Sequence, residues 1–175
     1  GSQGSRTGST RWYLYGDDFS MENATTQNSN PANAWFVFAK QGTQTLTLGA
    51  GNTLTAFPFE VSSGSTLDMG SSVLAGSGLV LVNEGGTVLT SLAGGIEAIF
   101  SGVTATVTLA DGSSYGFNGT TAQLTSTRMP TTVTDLIINN TAGVTLSQET
   151  TINGVPRLMA GVFDNTIPFT LGPNG

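Results

Sequence analysis

Apolar and polar residues alternate in short bursts along the chain from Trp12 onward. Glycine or asparagine interrupts these bursts about every ten residues, as expected for short strands separated by tight turns. The alternation therefore predicts an all-β protein built from many short strands.

The bursts repeat a common pattern. It consists of an apolar residue, any residue and a second apolar residue. A short turn containing Gly or Asn follows, and then another apolar residue. Each copy encodes two short strands joined by a corner and buries little by itself, so stability requires one unit to stack on the next. The copies lie at Leu46–Leu54 and Phe59–Leu67, more loosely at 79–88, 107–112 and 136–146, and a further copy begins at Phe169.

This repetition predicts a right-handed parallel β-helix, that is, a β-solenoid. The alternative fold is an antiparallel β-sandwich, which also uses short strands at this spacing but has no reason to repeat one motif. We expect a flexible lead-in at residues 1–11, N-terminal capping strands at 12–45, and solenoid repeats at 46–175 that are truncated at the C-terminus.

A second, longer repeat supports the solenoid. Phe38 and Phe117 are each followed six residues later by a glutamine, Gln44 and Gln123. Asparagines also stand at predicted corners, where an inward amide can bond the free backbone groups of a turn. These asparagines are Asn83, Asn139 and Asn140.

Composition excludes several kinds of chemistry. Only 9% of the residues are charged and the net charge is −6, so binding to the phosphates of a nucleic acid has no electrostatic basis. The chain contains no His and no Cys, which removes an imidazole base, a thiolate nucleophile and a zinc site of soft ligands. No apolar run approaches the roughly 20 residues that a membrane-spanning helix needs, so no membrane insertion is expected. No cofactor is expected either.

One long stretch resembles a known family of repeats. The segments Tyr115–Leu124, Met129–Gln148 and Thr151–Gly154 closely resemble a repeat block of large secreted or cell-surface Bacteroidota proteins, with Asn-Asn-x-x-Gly-Val-Thr-Leu-Ser as the most specific part. The resemblance covers about Gln44 to the end of the sequence. Val155-Pro156-Arg157 departs from the family pattern, which puts the pairing of that rung in doubt.

The resemblance implies a non-catalytic segment of a long secreted or cell-surface adhesin that is exported by the type IX secretion system and used in adhesion or gliding. Such repeats serve as a stalk or filament. The expected partners are neighbouring repeats of the same chain, the secretion machinery and surface glycans.

Two groups of residues are candidates for binding. The aromatic residues Trp12, Tyr13, Tyr15 and Trp35 can form a carbohydrate platform, although alternation also suits some of them to capping the open end of the core. Asp17 and Asp18 are a weak candidate for a metal site, because calcium needs about six oxygen ligands and this pair supplies few. A solvated loop is the competing interpretation.

Two other functions use the same fold. A polysaccharide-degrading β-helix needs carboxylates and a cation in one groove, and Lys40, Arg128 and Arg157 are the only cations beyond the lead-in, so no catalytic residue is assigned. An ice-binding solenoid needs rows of Thr, and Thr-x-Thr sets occur at 43–47, 53–55, 104–108, 125–127 and 132–134. Threonine is, however, also an ordinary exposed residue of a sheet that carries few charges.

Overall fold

The computed structural model describes residues 10–22, 34–49 and 57–175. Almost all of its regular structure is short strand, with one five-residue helix, α1 (Gly95–Ile99). The strands are β1 (Thr10–Leu14), β2 (Asp18–Met21), β3 (Ala34–Phe38), β4 (Gly42–Leu48), β5 (Phe59–Val61), β6 (Ser65–Asp68), β7 (Ala75–Gly76), β8 (Val80–Val82), β9 (Thr87–Thr90), β10 (Gly102–Val103), β11 (Val107–Leu109), β12 (Ser114–Phe117), β13 (Gln123–Leu124), β14 (Thr132–Val133), β15 (Leu136–Asn139), β16 (Val144–Thr145), β17 (Thr150–Ile152), β18 (Pro156–Ala160), β19 (Phe163–Asp164) and β20 (Phe169–Leu171).

The strands form parallel sheets that run along the axis of a solenoid of about six stacked turns. Sheet A has the order β1-β3-β5-β8-β11, and sheet B has the order β18-β15-β12-β9-β6-β4-β2. Three shorter sheets, β10-β7, β13-β16-β19 and β14-β17-β20, complete the walls. Every ladder between the named strands is parallel, so the solenoid prediction is confirmed and the antiparallel sandwich is wrong.

The core consists of apolar columns, to which each coil contributes one member. Because alternate residues of a strand face the same side, register places equivalent side chains directly above one another. On sheet B, Leu67, Val88, Tyr115 and Leu136 form one such buried column. At roughly 1.5–3 kcal/mol for each large buried side chain, such columns supply most of the favourable free energy of folding.

The sequence motif marks corners and not whole coils. The copy at Phe59–Leu67 leads from sheet A to sheet B, whereas the copy at 136–146 leads from sheet B to β16. Two different corners therefore use the same local solution, which explains the irregular spacing of the copies along the sequence. The number of residues in a coil varies as well. The coil from Val88 to its register partner Tyr115 is longer than the coil from Tyr115 to its partner Leu136, because the first of them contains α1.

The two glutamines of the longer repeat perform the same structural task at two different corners. The Gln44 side chain donates to the carbonyls of Leu14 and Gly16, at 3.0 and 2.7 Å. The Gln123 side chain likewise donates to the carbonyls of Thr90 and Leu92, at 2.9 and 3.0 Å.

The equivalence of the two glutamines extends to register and to the acceptor atom. Leu14 is the strand partner of Phe38, and Thr90 is the strand partner of Phe117. Each glutamine Oε1 accepts a backbone N–H located two residues after that Phe, from Lys40 at 3.1 Å and from Gly119 at 2.8 Å. Each buried amide thus ties its corner to the preceding coil and satisfies backbone groups that the turn leaves free.

Three details differ from the sequence-based expectations. Strand β1 begins at Thr10, so Arg11 belongs to a strand and not to a lead-in, because it pairs with Trp35 in register. Strands β1 to β4 lie in the same two sheets as the later strands, so residues 12–45 include coils of the solenoid itself. The rung at Pro156 forms, since the proline is the first residue of β18 and the strand pairs with β15 through one bulge.

The corner asparagines take three different positions. Asn140 is fully buried, and its side-chain amide donates to the Thr121 carbonyl at 2.7 Å while its Oδ1 accepts the Ala142 N–H at 2.8 Å. Asn83 instead donates to the Glu60 carboxylate, and Asn139 is exposed. An inward amide that bonds turn backbone is therefore found at Asn140.

Tyr115 places a hydroxyl inside the core. Because of this buried hydroxyl, the free energy of unfolding should depend on pH in the alkaline range. Burial raises the pKa of this phenol well above its usual value of 10, whereas the hydrogen bond with Ser113, 2.7 Å away, lowers it in part. Above pH 10 the unfolded chain therefore releases this proton before the folded chain does. We expect stability to fall as pH rises above 10, by up to about 1.4 kcal/mol per pH unit.

Urea unfolding of Tyr115→Phe at a series of pH values tests this expectation. The variant should lose about 1 kcal/mol near neutral pH and should have a shallower alkaline slope than the wild type. Tyr13→Phe, at an exposed ring, is the control and should keep the wild-type slope. Equal slopes in the wild type and Tyr115→Phe would contradict the assignment.

Candidate functional surface

The outer face of sheet A carries the most prominent exposed aromatic pair among the described residues. In β1 and the residue that follows it, Tyr13 and Tyr15 point outward while Leu14 between them packs against the core. The two tyrosines are 53% and 64% exposed, and their rings lie 6.5 Å apart with an interplanar angle of 15°. Two nearly parallel, solvent-exposed rings offer an apolar surface with a hydroxyl on each ring.

Trp35 lies on the neighbouring strand and is held by a charged cluster. The Arg11 guanidinium stands 4.9 Å from the centre of the Trp35 ring and forms an ion pair with Glu60. Glu60 is only 8% exposed and accepts a second hydrogen bond from the Asn83 amide, at 2.9 Å. This buried carboxylate is thus compensated, and it fixes Arg11 over the indole.

Trp12 lies on the opposite side of the sheet from this cluster. Its ring is 5.4 Å from Phe36 and 5.6 Å from Phe57, two buried core residues. It remains 48% exposed because β1 is the edge strand of sheet A. Tyr13, Tyr15 and Trp35 therefore share one face, whereas Trp12 covers the end of the core, in the position expected for a cap.

The two aspartates of the weak metal candidate do not act together. The Asp17 carboxylate forms an ion pair with Lys40, and Asp18 stands on β2 beside Thr45. Within residues 10–22, 34–49 and 57–175 there is no group of three or more acidic, His or Cys side chains that could hold a metal ion. A cation-binding role for Asp17 would have to displace Lys40.

The remaining cations are paired at separate places on the solenoid. Arg128 binds Glu97 of α1, with one of the two contacts at 3.1 Å, and this hydrogen bond lowers the pKa of Glu97 below its usual 4.5. The Arg157 guanidinium lies 3.4 Å from the Asp135 carboxylate, which belongs to the preceding coil. Each of the four ion pairs of the described chain thus joins one cation to one carboxylate, and no two of the pairs share a residue.

Threonines form single rows on the outer walls. Thr43, Thr66 and Thr87 are aligned in register on sheet B, and Thr132, Thr151 and Thr170 are aligned on the sheet of β14, β17 and β20. The second threonine of the Thr-x-Thr pattern does not form a row on sheet B. The register partner of Thr45 is Asp68, and the partner of Asp68 in the next coil is Leu89. The set at 53–55 lies outside the described residues.

The sequence identified the aromatic residues but did not indicate that Arg11, Glu60 and Asn83 form a cluster beside Trp35. Arg11 and Glu60 are 49 positions apart, so no local motif connects them. The available signal was the solenoid register, which pairs Arg11 with Trp35 and Val37 with Glu60.

Comparison with known proteins adds no relative. No family model, no curated protein and no solved structure matches the chain. Among the described residues, no helix is long and apolar enough to cross a membrane.

Proposed function

We propose that this chain is a non-catalytic structural and adhesive segment, a stalk or filament, of a long secreted or cell-surface adhesin. The observation that supports this proposal is the parallel ladder of sheet B, whose seven strands are held in register along one axis. Each added coil extends such a ladder by about 4.8 Å and needs only a similar coil beneath it. The resemblance to secreted Bacteroidota repeats agrees with export by the type IX secretion system.

The edge of sheet B at β18 is suited to stacking against another coil. Leu158 of β18 pairs in register with the buried Ile138, yet it is 64% exposed because β18 is the last strand of sheet B among the described residues. Leu171, at the edge strand β20, is 50% exposed for the same reason. These side chains continue the core columns, so another coil can cover them.

Axial stacking predicts that the isolated chain associates end to end as its concentration rises. Small-angle scattering should then show particles that lengthen while their cross-section stays constant. Leu158→Lys should reduce this association at least tenfold, because it places a charge on the stacking surface. Leu124→Lys is the matched control, since Leu124 is 49% exposed in β13, a strand that is not in sheet B.

Two results would count against the proposed stalk. The first is a wild-type chain that remains monomeric at millimolar concentration. The second is equal loss of association in Leu158→Lys and Leu124→Lys, which would indicate a side-wall contact and not an axial one.

Carbohydrate binding by the Tyr13, Tyr15 and Trp35 face is a second candidate function. It is favoured by the two parallel tyrosine rings, which can stack on the apolar faces of sugar rings while their hydroxyls bond to the sugar hydroxyls. A glycan array should lose its signal with Tyr13→Ala or Tyr15→Ala and keep it with Val162→Ala, an exposed apolar control. An unchanged signal in both tyrosine variants would exclude this surface.

A further inference from the structure

Strand β11 has an open edge in the middle of the solenoid wall. It is the last strand of sheet A, whereas the next strand along that wall, β14, belongs to a separate sheet with β17 and β20. The two coils meet at the adjoining corner, where the Thr134 N–H donates to the Ser113 carbonyl at 2.9 Å. Among the described residues, no backbone hydrogen bond joins β11 itself to the coil that follows.

The direction of the β11 backbone groups follows from the bonds that it does make. The Thr106 carbonyl accepts from Val80 and the Ala110 N–H donates to Val82, both at 3.0 Å, so these groups face β8. Because successive residues of a strand direct their N–H and C=O groups to opposite edges, those of Val107 and Leu109 face the following coil. Within the part of the chain that the structure describes, these groups have no partner and form a short row of free donors and acceptors.

The following coil pairs with the coil beyond it and not with β11. Pro130, which precedes β14, lines the space beside β11. Because proline has no N–H, it offers no donor to that edge.

The interruption leaves a groove of about 390 Å³ beside β11. Val107 and Leu109 line it and are only half-buried, whereas their partners Val80 and Val82 in the preceding coil are 4% and 0% exposed. This volume lies within the roughly 300–1,000 Å³ of ordinary ligand pockets. The groove therefore combines a free strand edge with a lining that is mostly polar where it is exposed.

The electrostatic character of the groove is acidic at one end. Asp111 lines it and is exposed. The Asp111 carboxylate belongs to none of the four ion pairs found among the described residues. Arg128 also lines the groove, but its guanidinium is bound to Glu97.

We propose that the open edge of β11 is a strand-addition site for a short extended peptide of a partner protein, with a Lys or Arg of that peptide beside Asp111. An extended peptide is the occupant that fits because it alone supplies a row of backbone donors and acceptors with the period of a strand. The acidic end selects a basic side chain, and the half-buried Val107 and Leu109 lie next to it. This site is independent of the stalk and of the aromatic face.

A fluorescent Lys-Val-Thr-Val-Lys peptide, capped at both ends, is a suitable probe because its lysines reach Asp111 in either strand direction. We expect saturable binding in the high-micromolar range. Two further peptides, N-methylated at one or the other set of alternate amides, separate strand pairing from contacts made by side chains alone. One of them should bind at least tenfold more weakly than the parent, and the other should bind as the parent does.

Two measurements on the protein locate the site. Asp111→Asn should weaken binding about threefold to tenfold at low salt, whereas Asp164→Asn, an exposed control in β19, should leave it unchanged. Hydrogen exchange should be fast at the Val107 and Leu109 amides in the free chain and at least tenfold slower with peptide bound.

Each possible failure has a definite meaning for the strand-addition site. Absence of binding at millimolar peptide would overturn it, as would equal binding of all three peptides. Slow exchange at both amides in the free chain would also overturn it, because the edge would then already be covered.

Discussion

Gln123→Leu is expected to destabilise the solenoid by about 3–5 kcal/mol, a large part of the total stability of a domain. The side chain is 1% exposed and takes part in four hydrogen bonds. Leucine is of similar size, so packing is nearly retained while the polar partners lose their bonds. Each buried group left unpaired costs about 1–3 kcal/mol. These groups are the Thr90 and Leu92 carbonyls, the Gly119 N–H and the Asn140 amide.

Chemical denaturation of the Gln123→Leu variant measures this effect, and the Gln148→Leu variant serves as its control. Gln148 is half-buried and its side chain makes one hydrogen bond, to the Met129 carbonyl, so its loss should cost no more than about 1.5 kcal/mol. Similar losses in the two variants would show that the bonds of Gln123 do not determine the stability of its corner.

Gly95→Ala should produce a loss of comparable size for a steric reason. Gly95 has φ +62°, and a Cβ at this position would lie 2.0 Å from the carbonyl oxygen of Leu124 in the next coil. The left-handed conformation alone costs a non-glycine residue about 1–2 kcal/mol, and the contact with backbone cannot be relieved by rotating a side chain. We expect a loss of about 3–5 kcal/mol in urea unfolding.

The neighbouring glycine provides a matched control for this substitution. At Gly94, which has φ −78°, a Cβ would meet only the Ala98 methyl group, at 3.1 Å. Gly94→Ala should therefore change the stability by less than about 1 kcal/mol. If both alanine variants unfold alike, α1 does not sit against the following coil in the way described.

The sequence was sufficient to predict the architecture because solenoid physics is local and repetitive. Alternation in segments such as Phe59–Val61, followed by a corner glycine, specifies both the strand and the side of the wall that its side chains face. Gly64, in that corner, has φ +77°, a conformation that favours glycine. Once coils stack, register follows from the requirement that apolar residues cover one another.

Features that depend on contacts between distant coils could not be predicted. The repeated Phe and Gln spacing was visible, but the carbonyls that Gln123 binds belong to a coil 31 and 33 residues earlier. Helix α1 escaped prediction because Ile96, Ile99 and Phe100 form too short an apolar segment to show a helical period. The Arg11–Glu60 pair on the candidate surface could not be predicted either, because its two residues are far apart in the sequence.

The most direct test of the stacked parallel coils is disulfide formation between register partners on the outer wall. The chain has no Cys, so a double variant gives a clean result. Thr66→Cys with Thr87→Cys joins two residues paired in parallel register on sheet B, at a separation of about 4.8 Å between strands, which suits a disulfide. We predict rapid cross-linking in this variant and little in Thr66→Cys with Leu89→Cys, whose second position lies on the same face but out of register. No cross-link in the first variant, or a faster one in the second, would contradict the parallel stack.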